Sequence, residues 1–220
     1  MYMLFGLVAS PPSSPCPGSA GHSVPGAAVG PVPVVRMFGV TEEGHSVACS
    51  IHGFTPYLFA ILPRGADASN PAFEGTLRNT LNRLLAGRGR GVEEKRCANP
   101  VLGVKVHADK ASLMGYQFAA EQRTFIQVFV AMPTMVPTLK RCLEEDGVEF
   151  PQGTLLHGAS AATCPTFESN VPFILRYMID ADISGSNWLE LPAGAYVRRA
   201  PGAAVTHCQL EVGTGREADE

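Results

Sequence analysis

The segment 34–54, VVRMFGVTEEGHSVACSIHGF, constrains the fold of this chain more than any other part of the sequence. Two runs rich in β-branched and aromatic residues flank a short polar turn that Gly44 closes. This arrangement is typical of a β-hairpin. The chain also contains 23 Gly and 18 Pro among its 220 residues, which predicts many turns between short elements.

One helix carries clear start and stop signals, at residues 70–87. Asn70 can cap its start, Pro71 suits the first helical position, and Gly87 suits the residue just past the end. Its apolar side chains form one stripe, which must pack on a sheet: Phe73, Leu77, Leu81, Leu84 and Leu85.

Shorter patterns fill the rest of the chain. A second helix is predicted at 137–146, ending at Gly147. A third is predicted to end at about Asp180, with an inward stripe made of Val171, Ile174, Leu175 and Met178. Strands are predicted as an edge strand at 57–62, then at 101–107, 112–118 and 124–131, the last of them central in its sheet because both of its faces are mostly apolar.

The domain organisation follows from composition. Residues 1–33 contain a Pro-, Gly- and Ser-rich stretch and are expected to form a flexible lead-in. One ordered domain is expected at 34–212, followed by a disordered tail at 213–220. The first ten residues lack the positive charge of a signal peptide, so secretion is not expected.

Charge and cysteine usage exclude several classes of protein. A net charge of −3 provides no global field that would draw the whole chain onto nucleic acid. The six cysteines form no C-x-x-C pair, so a zinc site is not expected, and their scatter favours reduced thiols inside a cell. No apolar run reaches 18 residues, so no membrane-spanning helix is expected.

A basic loop at 88–100 is the first candidate binding site. Gly-flanked arginines can approach a nucleic-acid backbone closely, so this loop could contact phosphates. A solvated insertion is the favoured alternative, because the excess of positive charge is small. The candidate contacts are Arg88, Arg90, Lys95 and Arg96.

Asp180 and Asp182 are the second candidate, since paired carboxylates serve acid–base and two-metal sites. Their spacing of two residues points them to different sides of a helix, and Glu190 is eight residues away in a predicted strand. A helix end followed by a polar loop is therefore the favoured interpretation. No nucleotide-binding, nucleophile or metal motif occurs elsewhere, so the residues alone indicate a strand-rich α+β domain without an evident active site.

Three segments carry a resemblance to a known family. PVPVVRMFGVTEEGHSVACSIHGFTPY (31–57), FESNVPFILRYMIDADISGSNWLELPAGAY (167–196) and THCQLEV (206–212) resemble the amino-terminal region of the catalytic subunits of eukaryotic DNA polymerase delta, a group of family B polymerases. The likeness covers residues 30–212 in order and is specific at both ends, whereas 63–123 matches loosely.

The resemblance implies an architectural role. It predicts an α+β fold with a mixed, largely antiparallel β-sheet, an OB-like sub-fold and two to three short packing helices. In the family this region supports the 3′–5′ exonuclease domain and borders template DNA. The exonuclease Asp-x-Glu motif and the polymerase motifs find no counterpart here, so the resemblance implies a fragment without catalytic residues of its own. Trp188 would be buried support, and Trp188→Ala would unfold the domain whereas Asp182→Asn would not.

The same resemblance implies the cofactors and partners of the parent protein. These would be Mg and an iron–sulfur cluster or zinc held outside this region, the template–primer DNA, accessory subunits and a nuclear location; no membrane is implied. Two alternatives remain open. One is a small enzyme that uses Asp180, Asp182 and Glu190. The other is a stand-alone OB-type module that binds single-stranded nucleic acid through aromatic side chains: Phe54, Tyr57, Phe59, Tyr116 and Phe118.

Overall fold

A computed structural model describes residues 2–10 (backbone only), 33–63, 66, 68–86, 88, 97–108, 113, 123–150, 161–200 and 204–214. Within these residues the strands are Tyr2–Ser10 (β1), Val34–Val40 (β2), Ser46–Ile51 (β3), Tyr57–Ile61 (β4), Val101–His107 (β5), Phe125–Val130 (β6), Val148–Glu149 (β7), Ala161–Ala162 (β8), Thr166–Phe167 (β9), Trp188–Glu190 (β10), Tyr196–Arg198 (β11) and Leu210–Thr214 (β12). The α-helices in the same residues are Phe73–Leu85 (α1), Val136–Arg141 (α2) and Phe173–Asp180 (α3).

The chain divides into two compact units. The first unit comprises Met1–Ser23, Pro31–Phe54 and Pro172–Glu220, and the second comprises Val24–Gly30 and Thr55–Val171. The sequence had predicted a single domain at 34–212. The division arises because the chain leaves the first sheet after β3, builds the second unit, and returns to the first sheet with β10.

The first unit is built on a six-stranded sheet with the order β10-β1-β2-β3-β12-β11. Its neighbouring strands are antiparallel except for β12 and β3, which run parallel, so the sheet is mixed. The predicted hairpin is confirmed by β2 and β3, where Met37 lies opposite Cys49. In its turn the Gly44 N–H donates to the Thr41 carbonyl at 2.9 Å, and Gly44 has a φ of +85°, which favours glycine.

The core of the first unit lies on one face of this sheet. Its fully or nearly buried members alternate along the strands, as period-two burial requires. Phe54 and three residues of α3 (Phe173, Ile174 and Tyr177) cover that face. The buried cluster consists of Val35, Met37, Val47, Cys49, Ile51 and Val212.

The second unit contains an antiparallel sheet with the order β5-β6-β4-β9. The prediction that the strand at 124–131 is central is confirmed, because β6 lies between β5 and β4. The prediction that 57–62 forms an edge strand is wrong, because the short strand β9 pairs with the other side of β4 through Phe59 and Ala60. The edge was misread because a two-residue partner that is distant in sequence leaves no local signal.

Helix α1 packs against this sheet through its predicted stripe, of which Phe73, Leu77, Leu81 and Leu85 are buried. The helix also covers the free edge of β5. The Asn82 amide group accepts from the Val101 N–H at 2.8 Å and donates to the Val101 carbonyl at 3.1 Å. These bonds satisfy edge groups that would otherwise be open to pairing with another chain.

The predicted helix at 137–146 is confirmed as part of a longer helical segment. A 3₁₀ turn at Pro133–Met135 leads into α2, and a π-helical turn at Cys142–Asp146 follows it. The segment ends at Gly147, which has a φ of +78°. Glu144 in the π-helical turn accepts from the Thr166 N–H at 3.1 Å and so attaches β9 to this helical segment.

Two predicted segments need comment. Strand β1 lies within the lead-in expected at 1–33 and pairs with β2 on one side and with β10 on the other. The rest of that lead-in, apart from Pro33, lies outside the described residues, and so does almost all of the strand predicted at 112–118. The α+β class, the largely antiparallel sheets and the short packing helices are confirmed.

Candidate functional site

The two aspartates at the end of α3 have different surroundings. Asp180 Oδ1 lies 3.5 Å from Nη1 of Arg176, one helical turn earlier, and Arg176 is buried. Asp182 is exposed in the following turn with a φ of +52°, a conformation that aspartate tolerates better than most residues. Among the residues that the structure describes, no three His, Cys, Asp or Glu side chains are grouped so that they could hold a metal ion.

Arg88 is the one basic residue of the loop at 88–100 that the structure describes. Its guanidinium forms an ion pair with Asp146 and donates a hydrogen bond to Sγ of Cys142 at 3.4 Å. The hydrogen bond from the Arg88 guanidinium to Asp146 raises the pKa of Arg88. Arg90, Lys95 and Arg96 lie outside the described residues, so phosphate contact by this loop stays a prediction.

Trp188 is not buried, contrary to prediction. It lies on the edge strand β10 opposite Leu4 of β1, and 52% of its surface is exposed. Its truncation removes only about half of the buried surface that a fully covered tryptophan would lose, so the predicted unfolding of Trp188→Ala does not follow. The bulk and the apolar character of this residue were read correctly, but about half of its surface is exposed in the described structure.

Trp188 is one of several large apolar side chains that are exposed in the first unit. On α3, Leu175 and Ile179 are one turn apart and face away from the sheet, whereas Phe173 and Tyr177 face it. The inward stripe predicted for this helix is therefore wrong for Leu175. We call the following set the carboxyl-terminal apolar residues: Leu175 (46% exposed), Ile179 (49%), Trp188 (52%), Val197 (52%) and Val205 (53%).

The carboxylate of Glu211 is the most densely bonded acid in the described part of the first unit. It is buried on β12 and accepts from the Val205 N–H, at 2.9 and 3.1 Å to its two oxygens, and from both the N–H and the hydroxyl of Thr206. Burial raises the pKa of Glu211, but these hydrogen bonds and the charge of Arg199 outweigh it and lower the pKa below its ordinary value. Sequence reasoning missed this role, because a single Glu in a strand carries no pattern.

The second unit carries an aromatic sheet face formed by β4, β5 and β6. The Tyr57 ring lies 5.5 Å from that of Phe59 and 5.6 Å from that of Phe129, measured between centroids. The Phe59 ring also lies 5.8 Å from that of His107. Tyr57 and Phe129 are half-buried, and Lys105 is exposed on the same face.

This face contains only part of the aromatic set predicted for nucleic-acid binding. Phe59 is buried at 3% exposure, and Phe54 packs in the first unit with Phe173 and Tyr177 at centroid distances of 5.3 and 5.1 Å. Tyr116 and Phe118 lie outside the described residues. Of the five predicted residues, Tyr57 is therefore the one with a described, partly accessible ring on the sheet face.

Two buried thiols, Cys49 and Cys164, are held in their neutral form. Burial raises the pKa of Cys49 and of Cys164 to about 12, so both thiols stay protonated and unreactive. None of the helices described here is long and apolar enough to cross a membrane.

A family model, described as the exonuclease domain of DNA polymerase family B, matches residues 164–219. The match therefore begins inside the segment 34–212 that was expected to flank this domain. It covers α3, β10, β11 and β12 together with all five carboxyl-terminal apolar residues.

Curated relatives named DNA polymerase delta catalytic subunit match most of the chain. The Arabidopsis thaliana protein is 36% identical over 199 residues, the Mesocricetus auratus protein 39% over 182, and the Bos taurus protein 37% over 200. These alignments cover 82–91% of this chain but only 15–16% of each relative. The chain thus spans about a sixth of their length.

A solved structure supports the fold. The family B DNA polymerase from the hyperthermophilic archaeon Pyrobaculum calidifontis aligns with a TM-score of 0.51, over 98% of this chain and 21% of that one, at 22% sequence identity. At this identity the likeness concerns the fold alone. The named relatives and the exonuclease-domain match together show that this chain is a family B DNA polymerase delta-like region that contains part of an exonuclease domain.

Proposed function

We propose that this chain is the amino-terminal architectural part of a replicative DNA-directed DNA polymerase of the delta type. In this role it supports the 3′–5′ exonuclease domain and borders template DNA, and the nucleotidyl-transfer and exonuclease residues belong to other parts of the polymerase. The observation that carries the proposal is the exposure of the carboxyl-terminal apolar residues inside the segment that matches the exonuclease-domain model.

The exposure of these residues has a measurable cost. A tryptophan side chain buries roughly 150–250 Å² when it is covered, so covering the exposed half of Trp188 would contribute about 2–3 kcal/mol at about 25 cal/mol per Å². Leu175 and Ile179 add a second apolar area on one face of α3. Contiguous exposed apolar side chains mark interaction sites more often than scattered single ones do, and Leu175 and Ile179 are neighbours one helical turn apart. The rest of an exonuclease domain, packed on these residues, would remove this cost.

Co-expression with the remainder of a relative tests this role. The tagged 220-residue chain would be produced together with the part of the Bos taurus delta catalytic subunit that follows the matched region. We expect the two polypeptides to co-purify in equal amounts. The double variant Leu175→Glu/Ile179→Glu is expected to reduce co-purification at least tenfold, because it introduces two charges into the proposed contact.

Val40→Glu is the matched control. Val40 is also exposed, at 42%, but it lies on β2 outside the segment that matches the exonuclease-domain model. It should co-purify like the parent chain. Failure of the parent chain to co-purify would reject the architectural role, and parent-like behaviour of the double variant would reject this surface.

The aromatic sheet face supports the second part of the proposal, the border with template DNA. Bases of a single strand stack on aromatic rings, and a nearby cation meets the backbone phosphates. Tyr57 and Phe129 supply the partly exposed rings, and Lys105 supplies the charge. The basic loop with Arg88, Arg90, Lys95 and Arg96 could add phosphate contacts. The same face also suits the alternative function, a stand-alone OB-type module that binds single-stranded nucleic acid.

Fluorescence anisotropy with a labelled oligodeoxythymidine tests this surface in the isolated chain. We expect dissociation constants in the micromolar range that rise steeply with salt. Phe129→Leu should weaken binding about tenfold, because it removes a stacking platform and keeps an apolar side chain. Asn79→Ala on the exposed side of α1 is the control. Absence of measurable binding would reject the stand-alone module, and equal binding by Phe129→Leu would reject this face.

The cofactors and partners belong to the same proposal. No Mg site is assigned to this chain, and neither is the iron–sulfur cluster or zinc of the parent family, which other parts of the polymerase would hold. Template–primer DNA, accessory subunits and a nuclear location follow from a delta-type replicative role. Catalysis by Asp180, Asp182 and Glu190 is not proposed, because Asp180 is paired with Arg176 and the other two side chains are exposed and separate.

A further inference from the structure

The segment that precedes β12 is held by a single buried carboxylate. Glu211 is 6% exposed and lies on the opposite face of its strand from the core residue Val212. It accepts the backbone N–H groups of both Val205 and Thr206, as well as the Thr206 hydroxyl. Thr206 Oγ1 in turn accepts the Cys208 N–H at 3.2 Å. Residues 205–208 are therefore tied to the strand through one side chain.

We infer that Glu211 is a positioning residue that fixes residues 205–208 before the rest of the polymerase subunit binds. Val205 is then presented to that remaining part of the subunit. The Val205 side chain is 53% exposed although its backbone N–H is bound to a buried group. The geometry thus anchors the backbone and leaves the apolar side chain free for contact. A segment that is ordered before binding loses less conformational entropy in the complex. The docking part of this inference rests on the proposed function, whereas the anchoring does not.

The charges around Glu211 favour its ionised form. Arg199, whose backbone N–H donates to the Glu211 carbonyl at 2.9 Å, lowers its pKa. The adjacent strand β3 carries no acid or base except the Cys49 thiol, and the other adjacent strand, β11, carries Tyr196 and Arg198. Residues 205–208 contribute His207 and Cys208. Because the pKa of Glu211 is lowered on folding, the anchoring is complete above the ordinary pKa of the carboxyl group. It is lost as the pH falls through the lower, folded value.

Amide hydrogen exchange in the whole 220-residue chain tests the anchoring. We expect Thr206→Val, which keeps the shape of threonine and removes its hydroxyl, to speed exchange at the Val205 and Thr206 amides at least threefold. Glu211→Gln should speed it at least tenfold. Thr206→Ser keeps the hydroxyl and should exchange at the parent rates. If Thr206→Val acted through general destabilisation of the unit, Thr206→Ser would also exchange faster. The Met37 and Cys49 amides in the core strands should be unchanged in all variants.

Two outcomes decide the inference. Parent-like exchange at Val205 and Thr206 in both Glu211→Gln and Thr206→Val would overturn the anchoring, whether or not the exonuclease-domain proposal holds.

For docking, Glu211→Gln is expected to reduce co-purification with the remainder of the Bos taurus subunit at least threefold. Faster exchange with unchanged co-purification would overturn the presentation of Val205. If the parent chain itself does not co-purify, the proposed function fails and the exchange result still decides the anchoring.

Discussion

Phe125→Ala is expected to destabilise the second unit by about 3–5 kcal/mol, the usual cost of removing a fully buried phenylalanine. Phe125 is 0% exposed on the central strand β6 and packs with Phe59 and Leu113. Its ring also lies 6.1 Å from that of Phe167 on β9. Truncation would leave a cavity that three strands surround, and neighbouring side chains on a paired sheet have little freedom to fill it. Urea unfolding, followed by amide exchange in β4 and β6, measures the loss.

Phe129→Ala is the matched control for this prediction. Phe129 lies on the same strand and the same face, four residues further on, but it is half-buried. Its truncation should cost clearly less than that of Phe125. If the two variants lost the same free energy of unfolding, Phe125 would not be the main buried side chain of this face.

Met37→Ala is expected to destabilise the first unit by about 2–5 kcal/mol. Met37 is 1% exposed, lies opposite Cys49 in the hairpin, and belongs to the cluster that α3 covers. The variant removes three heavy atoms from the centre of that cluster. Trp188 is the only tryptophan in the chain and lies in the first unit, so its fluorescence during urea unfolding reports the loss.

Val40→Ala tests whether burial, rather than position in the strand, determines this cost. Val40 lies three residues further along β2 and is 42% exposed. A loss below about 1 kcal/mol is expected, as for an exposed site without special contacts. If Val40→Ala matched Met37→Ala, the cluster would not be the core of this unit.

Elements with a local signal were predicted well. The hairpin depends on two β-rich runs and a turn glycine, and α1 depends on a stripe at helical spacing; both are confirmed with small shifts at their ends. The helix that ends at Gly147 is confirmed for the same reason. Each of these patterns lies within about twenty residues of sequence, so neighbouring residues alone specify it.

Features that depend on distant partners were not predictable. Strand β4 was read as an edge, but Thr166 and Phe167, over a hundred residues later, pair with it. The face of α3 was misassigned at Leu175, because the sequence does not show which side of a short apolar helix meets a sheet. The anchoring role of Glu211 depends on where residues 205–208 lie relative to β12, which no spacing rule supplies.

The amino-acid sequence by itself predicted the α+β class, the main hairpin, the three described α-helices and the resemblance to delta-type family B polymerases, because local periodicity and contiguous motifs specify them. Only the tertiary structure decided that the chain forms two units, that half of Trp188 is exposed and that β9 pairs with β4. The physical reason is that burial and strand pairing depend on contacts between segments that are far apart in the chain.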